Sequence, residues 1–361
     1  MSKRITIRDV AQAAGVSIST VHQALNDKPG VSQATREQIR RLSEELGYQP
    51  NPMASGLKRR TQHVAVLLPD TSGKNRYYYP PLWQGVRDYL GQVSDWNVEC
   101  LEFSFPNEVD PASSSAVEAV RTLLREDKLD GLLTVGHLGG LSREDTLRLN
   151  KTGAAAMVQI GFENPDLEPL CCVQPDYEVI GRTMAELVFT HIPSFGSVVM
   201  CGGNPQWEQH ARIVRGFEDY MQENDAHNRV YMDHSWSMSA DAQKNILSLL
   251  EKPDVAACCS VLSQGSVMLS QGLRQCGKAG QVFAVGSDIF EENLSSLQEG
   301  VLNNLVEKNP YAQGYLGIRT LVEYLVQGKR PERHIVYVGS EVVFRSNAVM
   351  YTRRRNPAQD F

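Results

Sequence analysis

Residues 16–26 read VSISTVHQALN, and their spacing assembles an unusual surface. Coiled into a helix, Val21, Ala24 and Leu25 share one apolar face. Ile18, Ser19, His22, Gln23 and Asn26 share the other, which holds short hydrogen-bonding groups, one aliphatic side chain and no acid. Such a face is built to donate and accept hydrogen bonds, and what it touches must be read from the elements around it. A second chemical candidate stands far along the chain. Asp288 closes the apolar run VFAVGSD, where a parallel strand would end and ligands of such sheets bind. Its alternative use is to cap a helix starting near Ile289.

The polar face needs a scaffold, and residues 6–47 supply one. Thr6 is placed to cap a first helix with Asp9 three residues on, and Ile7, Val10, Ala11 and Ala14 make its apolar stripe. Gly15 ends that helix, Ser17 caps the quoted one, and DKPG breaks the chain. Ser32 opens a third helix with Ile39, Leu42 and Leu46 on one side and Gly47 at its end. Helix, glycine turn, helix and a supporting third helix form a helix-turn-helix, whose second helix enters the major groove. Charge agrees. Residues 1–60 hold ten Lys/Arg against five Asp/Glu, a surplus of +5, and the chain total of −6 leaves −11 for the remainder. A basic head on an acidic body assigns a polyanionic partner to the head alone.

At 361 residues the chain is too long for one core. Hydrophobic residues at 42% and charged residues at 22% describe an ordinary globular protein. The start MSKRITIRDV has no signal-peptide run and no stretch is long enough to span a bilayer, so a cytoplasmic protein without a membrane partner is expected. The seven cysteines include the adjacent pairs Cys171-Cys172 and Cys258-Cys259 and show no metal-ligand spacing; they read as reduced core residues.

The run TIRDVAQAAGVSISTV, followed by ALN and VSQATREQIRRLSEELGYQPNPMASGL, resembles the DNA-binding head of LacI-family transcriptional regulators through residues 5–60. The resemblance implies that Ile18, Ser19, His22 and Gln23 read bases. Most members have Ser-Arg where this chain has His22-Gln23, which shifts the expected preference from guanine toward adenine. Thr6, Ser32, Thr35, Tyr48 and Asn51 match positions that hold phosphates and set register. Ser32 and Thr35 are equally placed to cap the third helix. In the family, the segment matching NPMASGLKRRTQ becomes helical only on DNA, where a leucine wedges into the minor groove. The matching residue is Leu57, flanked by Ala54 and Lys58. Many members carry arginine at Ser55, so a looser phosphate grip is expected here.

From residue 63 the chain alternates strand and helix patterns. Strand candidates are HVAVLLPD, WNVECLEF, GLLTVG, AAAMVQIGF, SVVMCGG, VAACCSV and VFAVGSD, separated by amphipathic stretches at 81–92, 113–126, 176–191, 207–224, 239–251 and 310–327. Repeated β-α units imply parallel sheets covered by helices on both faces. The fold class expected is a small all-α head joined to an α/β, two-lobed core, which resembles the periplasmic-binding-protein-like core of the same family. The boundaries are 1–49 for the head, 50–62 for the hinge, 63–347 for the core and 348–361 for the tail. Lobe 1 takes about 63–161 and 290–318, and lobe 2 about 162–289 and 319–340, with about three crossings.

The resemblance places an effector between the lobes, a sugar or polyol on family grounds. Asp288 matches an aspartate that accepts hydrogen bonds from ligand hydroxyls. Tyr77, Tyr78, Tyr79 and Trp83 follow the first strand and present sugar-stacking rings or a packed cleft rim. QWEQHARIVRGF at 206–217 contains Trp207 and matches the segment that supplies a clamping arginine; Arg212 stands one residue off, with Ile213 at the expected place. Asn309 and Gln313 are further candidates at the returning crossing, and Leu262-Ser263 replace the usual Asn-Asp. The expected partners are double-stranded, pseudo-palindromic operator DNA, a small-molecule effector and a second copy of the chain. No cofactor or metal is expected. A transporter's solute-binding protein shares the core but lacks the basic head. An enzyme is disfavoured because GxSxG, HExxH, P-loop and GxGxxG motifs are missing.

Overall fold

The computed structural model describes residues 7–25, 30–46, 60–94, 96–106, 114–136, 141–147, 149, 156–235 and 237–353. Residues up to Arg60 form one compact unit, and Thr61–Ser94 with the chain from Val98 form a second.

The first unit holds α1 (Ile7–Ala14), α2 (Ile18–Leu25) and α3 (Gln33–Glu45). Val10, Ala11, Val21, Ala24 and Ile39 form its buried core. The caps fall where the sequence puts them: Ser17 accepts from the Thr20 amide at 3.1 Å and Ser32 from the Thr35 amide at 3.3 Å. Gly15 adopts φ 67°, the left-handed conformation that lets the chain turn sharply between α1 and α2. Leu46, expected on the packed side of α3, is exposed, and Ser43 is buried instead, its hydroxyl donating to the Ile39 carbonyl.

The second unit is built on two six-stranded sheets. Its first half runs β1 (Gln62–Pro69), α4 (Tyr79–Gln92), β2 (Val98–Phe105), α5 (Ser115–Arg125), β3 (Gly131–Val135), α6 (Arg143–Leu147), β4 (Met157–Ile160) and β5 (Cys171–Pro175). It continues through α7 (Tyr177–Phe189), β6 (Ser197–Cys201), α8 (Glu208–Glu223), β7 (Val230–Asp233), α9 (Ala240–Leu250), β8 (Val255–Ser260) and α10 (Ser263–Gln275). The last elements are β9 (Phe283–Ser287), α11 (Glu291–Gln298), β10 (Asn304–Glu307), α12 (Pro310–Gln327), β11 (Ile335–Val338), β12 (Glu341–Phe344) and α13 (Val349–Arg353). One sheet has the order β11-β5-β4-β3-β1-β2 and is parallel throughout. The other has the order β12-β10-β9-β8-β6-β7, with only the β10–β12 pair antiparallel. Helices cover both faces, so the inner strands read as unbroken apolar runs: Val64–Leu68 of β1 and all of β6 are buried.

The chain crosses between lobes three times, after β5, after β10 and between β11 and β12. The crossings lie later than expected. CCVQP (171–175) is a strand of lobe 1, NLVE (304–307) a strand of lobe 2, and IVYV (335–338) returns to lobe 1. Four- and five-residue strands carry too little periodicity to be read before their partners are known. The segment called a tail is also partly built in: Ala348 is buried in the lobe 2 core and Tyr351 packs against it.

Each lobe contains one very close helix crossing. A Cβ on Gly85 of α4 would lie 2.2 Å from the Tyr311 carbonyl oxygen of α12, and one on Gly314 of α12 would lie 2.0 Å from the Leu82 carbonyl oxygen. Gly181 of α7 and Gly216 of α8 repeat the arrangement, at 2.0 Å from the Ile213 oxygen and 2.2 Å from the Glu178 oxygen. Only glycine permits backbones this close.

Candidate functional site

In the helical unit, α2 turns Val21 and Ala24 inward and leaves Ile18 43% exposed and Ser19 exposed. Gln23 is half-buried on the same helix. Among the described residues of this unit, Ile18 is thus a large aliphatic side chain facing outward beside a hydroxyl and an amide. Arg36 of α3, one of the ten basic residues counted in residues 1–60, donates from Nη1 to the carbonyl oxygens of Gln23 and Ala24 at 3.3 and 3.1 Å. A guanidinium on the last carbonyls of α2 satisfies orphan acceptors and opposes the negative end of the helix dipole. Ser32 and Thr35 act on each other, their hydroxyl oxygens 2.7 Å apart. Thr6, Tyr48, Asn51, Ala54, Leu57 and Lys58 lie outside the described residues, as does the side chain of His22.

In the two-lobed unit a cavity of about 150 Å³ opens at the carboxyl ends of the strands. Val135 and Ile160 come from the ends of β3 and β4, Leu262 from the turn after β8, Asp288 from the end of β9 and Lys308 from the end of β10. Five of the nine expected ligand residues meet there: Tyr78, Tyr79, Trp207, Asp288 and Gln313. Tyr177, Gln209, His210, Ser263 and Lys308 join them. Tyr177 is buried and Tyr78 half-buried against the cavity, and loss of hydration pushes both phenols well above the usual 10 and keeps them neutral. The Tyr177 hydroxyl donates to the Gly161 carbonyl at 2.5 Å, and His210 Nδ1 accepts from the Asn204 amide at 3.2 Å.

The other four expected residues are placed elsewhere. Trp83 donates from its indole to the Pro69 carbonyl at 2.8 Å beneath the cavity wall. Tyr77 packs on Phe290, ring centroids 4.7 Å apart, joining the lobes at the rim beside the Arg76–Glu292 ion pair of 2.7 Å. Arg212 turns to α7, where its Nε meets Glu178 at 3.2 Å, and Ile213 lines the cavity instead. One residue on a helix is a rotation of 100°, so the offset visible in the sequence redirects the whole side chain. Asn309 caps α12, accepting from the Ala312 amide at 3.1 Å.

Asp288 does not cap α11, whose N-cap residue is Phe290. Its backbone is left-handed at φ 70°, and its side chain is 2% exposed. Oδ2 accepts from the Ser263 hydroxyl at 2.5 Å and from Lys308 Nζ at 2.8 Å. Oδ1 is buried with no hydrogen-bond partner, and so are Oε1 of Gln313 and Oε1 of Gln209. Gln313 is oriented unambiguously, because its Nε2 donates to the Tyr78 hydroxyl at 2.9 Å and to the Lys308 carbonyl at 2.8 Å. Three orphan acceptors around one cavity call for a donor-rich occupant, since a buried acceptor left unmatched costs about 1–3 kcal/mol. The adjacent Glu307 carboxyl is pushed up to about 8 by burial and by Asp288, against the opposing pull of Lys308. All seven cysteines are free and five are buried. Among the described residues no helix is long and apolar enough to cross a membrane.

Comparison with known proteins matches residues 6–51 to the bacterial regulatory proteins of the lacI family and residues 149–330 to the periplasmic binding protein domain. The HTH-type transcriptional regulator RegA of Clostridium saccharobutylicum is 33% identical over 145 residues, 40% of this chain and only 40% of that protein. Catabolite control protein A of Staphylococcus aureus is 25% identical over 341 residues, 92% of this chain and 96% of the relative. Among solved structures, a solute-binding protein of an Agrobacterium vitis ABC transporter, bound with α-D-tagatopyranose, superposes with a TM-score of 0.67 at 15% identity. That superposition covers 81% of this chain and 98% of the other, a likeness of fold alone.

Proposed function

From the premise that the chain belongs to the lacI family of bacterial regulatory proteins, its body being a periplasmic binding protein domain, we propose a cytoplasmic DNA-binding transcriptional regulator controlled by a small molecule. The observation that carries this reading is the pairing of two features in one chain. The outward face of α2 is free of acids and aimed by α3, and the two-lobed body holds a cavity ringed with unmatched acceptors. A solute-binding protein accounts for the second feature and leaves the first unused.

In this reading Ile18, Ser19, His22 and Gln23 read base edges, while Thr6, Ser32, Thr35, Tyr48 and Asn51 hold phosphates. Two copies bind a pseudo-palindrome, and Ala54, Leu57 and Lys58 of each enter the minor groove between the half-sites. The action is repression. The effector sits against Tyr79, Trp207, Asp288 and Gln313, and a sugar or polyol is the class favoured. A cavity near 150 Å³ is smaller than the roughly 300–1,000 Å³ of sites for drug-sized ligands, which suits one small molecule. Effector and DNA are coupled because each prefers a different arrangement of the lobes, typically by about 1–3 kcal/mol.

The test is selection of bound duplexes from a random pool by the full-length chain, followed by release or capture assays with sugars. An enriched two-fold sequence whose affinity a sugar shifts is expected. Gln23→Ala then loses about 1–3 kcal/mol of preference at one position. No enrichment at physiological salt would overturn the reading.

A further inference from the structure

The corner of the cavity formed by Ser263, Asp288, Lys308 and Gln313 is charge-balanced from within. Lys308 is 6% exposed, and its ammonium donates to Oδ2 of Asp288 at 2.8 Å, to the Val261 carbonyl at 3.2 Å and to the Ser287 hydroxyl. All three of its donors are thereby used. Asp288 Oδ1 and Gln313 Oε1, on side chains 2% and 0% exposed, remain unmatched. Whatever fills the corner must donate to both.

Hydroxyl groups and ammonium groups can do so. An ammonium is the usual partner of a carboxylate, but here the carboxylate already carries one. A second cation on Oδ1 would lie within a few ångströms of Lys308, in surroundings too dry to screen the repulsion. Glu307 does not relieve this, because its carboxyl, pushed up to about 8, stays largely protonated at neutral pH. A hydroxyl meets no such penalty.

We propose that Lys308 makes this corner select hydroxyl donors and reject ammonium, so that the effector is held at Asp288 and Gln313 by two uncharged hydroxyls. The assignment rests on reading the cavity as the effector site. Lys308 acts through Asp288 and is a specificity residue although its own donors are fully occupied.

The test uses the full-length chain and a panel of pentoses, hexoses and pentitols, each beside its amino-deoxy analogues, with binding read by calorimetry and thermal shift. For at least one compound the wild-type protein binds the hydroxyl form at least tenfold more tightly than every amine analogue, and in K308Q and K308M that ratio falls at least tenfold. An amine analogue bound as tightly as its parent, for every compound the wild type binds, would overturn the proposal. So would a ratio unmoved in a folded variant, or a panel bound by none of its members. Should neither variant fold by circular dichroism, the wild-type preference alone decides. DNA affinity is measured in parallel on the same preparations: sugar selectivity without any DNA preference overturns the regulatory reading and leaves this one standing.

Discussion

Removing Lys308 by Lys308→Met leaves a carboxylate buried without its counter-ion, and the structure sets the scale of the loss. Both partners are almost wholly buried and 2.8 Å apart, and Asp288 Oδ2 would retain only the Ser263 hydroxyl. Breaking such a pair costs about 3–5 kcal/mol, much of it the penalty of the stranded charge. Against a total stability of about 5–15 kcal/mol that is a large fraction. For a body of this size it corresponds to a fall in Tm of roughly 6–15 °C. Neutralising the stranded partner as well should restore most of it: Asp288→Asn combined with Lys308→Met is expected within about 2 kcal/mol of the wild type, well short of the sum of the two single losses in a double-mutant cycle. Urea denaturation of the full chain, followed by tryptophan fluorescence and circular dichroism, measures all four corners. If the double variant lost the sum of the two single losses, the ion pair would not be what holds this corner together.

Arg36→Ala removes two charge-assisted hydrogen bonds from the end of α2 and should cost the helical unit about 1–3 kcal/mol while weakening DNA binding on every sequence alike. A thermal melt with an operator titration checks both. Gly314→Ala drives a methyl group onto the Leu82 carbonyl and should destabilise the body by about 2–4 kcal/mol, read as a lowered urea midpoint. Glu307→Gln tests the raised carboxyl. Because the native state holds this proton where the unfolded chain has lost it, its contribution is present below about 4.5 and disappears as pH climbs to about 8. The variant should therefore gain on the wild type by about 4 kcal/mol between pH 4.5 and 8, with little further gain above. Denaturation midpoints across that range decide the point, and a constant difference would refute it.

What could be read in advance was local. Ser17 and Ser32 announce helix starts because a cap acts within its own turn, and six of the seven strands read in advance announced themselves as apolar runs buried on both faces, the half-exposed edge strand β2 being the seventh. Asp288 was legible because the end of a parallel strand is a place the fold reserves for ligands. Lys308, Ser263 and Tyr177 were not, since they converge only once the chain has crossed between lobes, and no spacing in the sequence encodes that. The short strands β5, β7, β10, β11 and β12 escaped for the same reason: their identity is conferred by neighbours distant along the chain. Arg36 carried a basic label, but its work on α2 depends on a packing angle.

The reciprocal glycines settle where this body can bend. In each lobe the first helix after a crossing, α7 in one and α12 in the other, is the helix clamped backbone to backbone. Close backbone contact leaves each of these helices little room to slide against its neighbour. The molecule is thus a linkage of two plates and three short straps, and the left-handed residues Asp288 and Asn309 sit at one strap's anchor and on the strap itself. The cavity is lined by residues at those straps, Tyr177 after one crossing strand and Lys308 after another, so an occupant would touch the joints between the plates as well as the plates.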